Sequence, residues 1–108
     1  MSISYYVTRK ELPSDRNGPE ITAAEWRSVV SADPDLALEV PEDVPGLARD
    51  AIWAVWHLYP GGYPAWFALV DGNIEVKGLD QAMHAKLLRF ALILGARLSD
   101  EEGEEPML

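Results

Sequence analysis

Ala65-Trp66-Phe67-Ala68-Leu69-Val70-Asp71-Gly72-Asn73-Ile74-Glu75-Val76-Lys77 is the stretch on which the fold turns. Two runs of strand-forming residues flank Asp71-Gly72, the dipeptide suited to a two-residue hairpin turn, whose central positions need a positive φ. Upstream, Ala51 to Leu58 is apolar on both parities, and periodicity alone does not separate a buried strand from a helix. Its short length, its aromatic content and the Pro60-Gly61-Gly62 turn after it favour a strand. Further back, Leu36, Leu38 and Val40 alternate with Ala37 and Glu39 as a short strand that runs into the proline-containing segment Pro41 to Gly46. At the start of the chain, Ile3, Tyr5 and Val7 alternate with Ser2, Ser4, Tyr6 and Thr8, the period of a half-buried strand. Glu11 to Glu20, with Pro13, Gly18 and Pro19, reads as a loop.

Two helices complete the pattern. Thr22 with Glu25 three residues on forms a capping box, and Ile21 with Trp26 fits the hydrophobic staple around it. Trp26, Val29 and Val30 share a face, and Pro34 disfavours a helical Asp33, which ends this helix near Ala32. The longer helix begins at the N-cap Asp80 and stops at Gly95, suited to the left-handed position past a helix end. Met83, Leu87, Phe90, Ala91 and Leu94 form its apolar stripe, widened by Leu88 and Ile93, with Gln81, Lys86 and Arg89 expected towards water. Ala96 to Leu98 adds a short last strand. The order βαββββαβ predicts an α+β protein, an antiparallel sheet of five or six strands with both helices on one face. A chain of 108 residues is one domain, expected over residues 1–98, with an acidic mobile tail over 99–108.

The net charge of −9 is unevenly placed. Asp33, Asp35, Glu39, Glu42, Asp43 and Asp50 face one basic residue, Arg49, and Asp100, Glu101, Glu102, Glu104 and Glu105 face none, so the rest of the chain is nearly neutral. Such a field repels nucleic acid and anionic membranes and attracts basic partners, and it also serves solubility as a solvated loop and tail. Neither an export signal nor a spanning apolar run is present, which points to the cytosol.

Catalytic patterns are missing. Without cysteine there is no disulfide, thiolate metal site or cysteine nucleophile. No glycine-rich phosphate loop, GxSxG elbow or HExxH pair occurs, and Asp71-Gly72-Asn73 lacks the further ligands of a calcium loop, so no cofactor or metal is implied. His57 and His84 have no motif partner and read as structural or surface residues. A hydrolase pair of carboxylates assembled in space is the weaker reading of the acidic residues. Trp26 and one of Trp53 and Trp56 are expected in the core, whereas Tyr59, Tyr63 and Trp66, around the Pro-Gly-Gly turn, are candidates for an exposed aromatic anchor.

Two blocks carry a resemblance. Ile21-Thr22-Ala23-Ala24-Glu25-Trp26 with Val30 and Asp33-Pro34-Asp35-Leu36 is one. The other runs from Trp66-Phe67 through Asp71-Gly72-Asn73-Ile74-Glu75-Val76-Lys77 to Leu94-Gly95-Ala96-Arg97-Leu98 and the acidic Asp100-Glu101-Glu102-Gly103-Glu104. Together they cover about half of the chain, largely in fold-determining positions, and resemble small bacterial immunity proteins of secreted toxin systems. Similar sequences usually follow the acidic turn with an aromatic residue, whereas Glu105 and Pro106 stand here. The resemblance implies a non-enzymatic protein that occludes the active site of one cognate, cytosol-acting toxin. Glu42, Asp43, Asp50, Asp100, Glu101 and Glu102 would meet a basic groove on that toxin, with Tyr59 and Tyr63 as anchors. The other readings are a phage-type inhibitor of a nucleic-acid-binding defence complex and a small enzyme built around a residue such as His57.

Overall fold

The computed structural model describes residues 3–42 and 51–107. Its elements are β1 (Ser4–Thr8), α1 (Ala23–Ala32), β2 (Leu36–Leu38), β3 (Ile52–Trp56), β4 (Ala65–Val70), β5 (Asn73–Lys77), α2 (Gln81–Leu94) and β6 (Arg97–Ser99). All pairings are antiparallel, and the six strands lie in the order β2-β3-β4-β5-β1-β6. The predicted class and element order are thus those of the protein.

Strand parity divides the sheet into two unlike faces. Val7, Ala54, Phe67, Leu69, Ile74, Val76 and Leu98 point to one side and form a single core with Trp26, Val29 and Val30 of α1 and Met83, Leu87, Phe90 and Leu94 of α2. Val55 and Ala68 are buried on the other side, opposite Trp66 and Trp53 in the register. Further along that helix-free side come Ser4, Tyr6, Thr8, Asn73, Glu75 and Lys77, so it changes from apolar at β3 and β4 to polar at β5 and β1.

The helix ends are tied to each other. Thr22 Oγ1 accepts from the Glu25 backbone N–H at 3.1 Å and the Thr22 backbone N–H donates to Glu25 Oε1 at 3.0 Å, completing the capping box. The same glutamate binds Arg9 through both carboxylate oxygens, at 2.8 and 2.6 Å, while Arg9 also donates twice to the Leu94 carbonyl at the end of α2. The hydrogen bond from Arg9, then that from the Thr22 backbone, holds the Glu25 carboxyl at a pKa of about 2. A depressed carboxyl pKa adds stability above the unfolded value near 4.5 that is lost as pH falls through about 2. Thr22→Ala, which removes the side-chain acceptor of the Glu25 N–H, should lower stability by about 1 kcal/mol at neutral pH, measured by urea denaturation. An unchanged midpoint would show that the cap contributes nothing.

The β4–β5 turn has Asp71 at φ 51° and Gly72 at φ 79°, the double positive φ of a type I′ hairpin. A Cβ on Gly72 would come within 2.5 Å of the Glu20 side chain, whose neighbour Ile21 donates its N–H to the Gly72 carbonyl. Gly72→Val combines the strained φ with that clash and should cost about 2 kcal/mol, read as a lower denaturation midpoint.

Four features differ from expectation. Leu88 and Ile93 are exposed and do not widen the stripe of α2, because its core-facing arc is already filled by Met83, Leu87, Phe90, Ala91 and Leu94. Lys86, expected in water, has a side chain only 10% exposed, drawn inward by Asp33 at 2.6 Å and by the Trp56 ring, 5.0 Å from its ammonium. Ser99 is not the start of a tail but the fully buried last residue of β6. The acidic end beyond it is a folded turn as far as Glu104: Asp100 Oδ1 accepts from the N–H groups of Glu102 and Glu104, and Arg97 donates to the Gly103 carbonyl at 2.9 Å.

Candidate functional site

The sheet parts at one end. The β3–β4 ladder runs to Trp56 with Ala65, and the β1–β5 ladder to Ser4 with Lys77, but β4 and β5 pair only as far as Ala68 with Glu75. Each strand stays with its outer neighbour. Beyond Lys77, the Gly78 N–H still donates to the Ile3 carbonyl at 2.9 Å, which carries β5 away with β1. The opening holds a cavity of about 600 Å³, with Tyr63, Ala65 and Trp66 on one wall and Val76, Lys77 and Gly78 on the other.

Tyr59 stands at the base of this cleft, and its position corrects the expectation of an exposed anchor. It is 8% exposed, with its ring edge-on to Trp56 at 5.4 Å and to Tyr63 at 5.5 Å, and its hydroxyl donates to Asp80. Trp56, Asp80 and Tyr63 meet there only after folding, which brings the turn after β3 against the start of α2. A Cβ on Gly61 would lie 2.2 Å from the Tyr59 ring, so glycine is required for the turn to close over it. Tyr63 remains 65% exposed at the rim.

A second cluster adjoins the first through Glu75, which lines both the cleft and a smaller cavity of about 340 Å³ beside Tyr6, Asn73 and Glu101. Tyr6 lies across from Glu75 on one side and Ser99 on the other. Burial, then the charge of Glu75 and that of Glu101, raises the Tyr6 phenol above its ordinary pKa, outweighing opposite effects of Ser4 and Lys77. The Lys77 ammonium is committed locally, 2.6 Å from Ser4 Oγ and 3.0 Å from Glu75.

The residues singled out from sequence are only partly brought together. Tyr59 and Tyr63 share the cleft, and Asp100, Glu101 and Glu102 share the turn after β6, where Glu101 and Glu102 are exposed and the Asp100 carboxylate is used to close the turn. Glu42 is exposed just beyond β2, at the opposite edge of the sheet. Five strand spacings of roughly 4.8 Å put the two edges about 24 Å apart, too far for one continuous acidic patch. Asp43 and Asp50 lie outside the described residues. His57 is exposed and 2.7 Å from Glu39, and neither His57 nor His84 lines the cleft.

Compared with protein-family models, curated proteins and solved structures, the chain matches none. Among the described residues, no group of three or more histidines and carboxylates is placed to hold a metal ion, and no helix is long and apolar enough to cross a membrane. Tyr6, Glu75, Lys77 and Asp80 were not singled out from the sequence as site residues. Parity alone puts Tyr6, Glu75 and Lys77 on the polar side of their strands, but the register that joins β1 to β5 has no local signal.

Proposed function

We propose that the protein acts by binding another protein through its helix-free face, as an immunity protein that occludes the active site of a cognate bacterial toxin in the cytosol. The observation that carries the reading is the convergence of Glu75 and Glu101 on Tyr6, beside the aromatic cleft. Carboxylates from β5 and from the turn after β6 give one edge of this face a negative field, while Tyr63 and Trp66 offer apolar area next to it. A charged field speeds encounter with an oppositely charged surface, and buried aromatic residues slow release. The partner that suits this face has a basic groove, as toxins acting on nucleic acids do.

The test requires a candidate toxin domain, sought first among the neighbouring genes. Reversing Glu101 and Glu102 to lysine should slow association by about tenfold at low salt and leave the denaturation midpoint nearly unchanged, with the difference shrinking as salt screens the field. Tyr63→Ala should instead speed dissociation. Association indifferent to salt and to both reversals would reject the electrostatic part of the proposal, and failure to neutralise the toxin would reject the immunity function.

A further inference from the structure

We infer that the parting between β4 and β5 receives an arginine or lysine side chain carried on an extended segment of the partner, an inference that rests on the protein-binding reading above. The backbone supplies the first argument. Val70 and Asn73 flank the two-residue turn and form a hydrogen-bonded pair, so bonded pairs recur at Ala68 with Glu75 and then at Trp66 with Lys77. The last of these is not formed. Two strand edges thus diverge around a cavity of about 600 Å³, inside the size range of ligand sites and larger than one side chain needs, which leaves space for the backbone that carries it.

The walls supply the second argument. Tyr63 and Trp66 present ring surface against which the methylene stem of a long cationic side chain packs, and ring faces attract its charged head. Charge supplies the third. Among the described residues, Glu75 and Asp80 line the cleft against one cation, Lys77, which Ser4 and Glu75 already hold. The balance inside is negative, in a chain of net charge −9, so a cationic head is favoured over a neutral or anionic one.

The experiment titrates the full chain, labelled for NMR, with N-acetyl-arginine amide and separately with N-acetyl-citrulline amide, which has nearly the same shape and no charge. The arginine probe should shift the Trp66 indole and the Lys77 and Gly78 amides saturably, and citrulline should bind about tenfold more weakly. Glu75→Gln combined with Asp80→Asn, which keeps an N-cap side chain, should weaken the arginine probe towards the citrulline level, with the spectrum elsewhere confirming an intact fold. Equal binding of the two probes, shifts confined to other surfaces, or no saturable shift would overturn the inference. These readouts do not involve the toxin. Cleft binding with no toxin neutralisation would remove the immunity reading alone, and neutralisation with an unresponsive cleft would remove the cleft alone.

Discussion

Replacing Trp26 by alanine is expected to lower stability by about 4 kcal/mol, the largest effect of any single substitution considered. Trp26 is fully buried, and its ring is edge-on to Phe90 at 5.4 Å and to Phe67 at 6.4 Å, while those two lie 5.2 Å from each other. The triad joins α1, α2 and β4, so truncation opens a cavity where both helices meet the sheet. It also removes the indole N–H that donates to the Ile52 carbonyl at 3.0 Å, leaving an acceptor without that bond. Trp26→Phe should lie between wild type and alanine, since it restores ring contact without the donor. Urea denaturation followed by circular dichroism checks the order. If Trp26→Ala and Trp26→Phe are equally destabilised, the cost lies in the hydrogen bond and not in packing.

Lys86→Met should cost about 3 kcal/mol at neutral pH, for a different reason. Asp33 caps the end of α1, where the helix dipole disfavours an anion, and its side chain is only 16% exposed. Burial alone would raise its carboxyl. The hydrogen bond from Lys86 and that from the Asp35 backbone, with the charges of Lys86 and Arg89, outweigh burial and hold it below its ordinary value. In the wild type this contribution is present above the unfolded aspartate pKa and is lost as pH falls through the lower folded value. Without Lys86 the burial effect persists and most of the opposing hydrogen bond and charge is gone, so protonation of Asp33 relieves the strain. The deficit of Lys86→Met should therefore shrink at acid pH, and adding Asp33→Asn should recover part of it at neutral pH. A deficit independent of pH would mean that methionine merely fits poorly between Trp56 and Phe90.

What was legible in the chain was whatever a few neighbouring residues specify. The capping box at Thr22, the Asp80 and Gly95 ends of α2, and the Asp71-Gly72 turn all depend on contacts within a turn or two, and each stands where expected. The parting of β4 from β5 was not legible, because it reflects which outer strand each prefers, decided at Ile3 and Trp56. Tyr59 and Lys86 were misplaced for a related reason. Their burial follows from Asp80 and Asp33, partners that composition presents only as charges towards water.

The inner position of β1 has a consequence for how the chain comes together. Thr8 meets Asn73 across 65 residues and Arg9 meets Leu94 across 85. On a ribosome, β1 has neither of its neighbours until β5 and then β6 have followed, and closing such long loops is slow relative to forming α1 or the β4–β5 hairpin. The local pieces can form early, but the β1 seam joins only at the end. Until then the edge of β5 is open, a period in which strand-to-strand aggregation competes with maturation and in which a chaperone would have its opportunity.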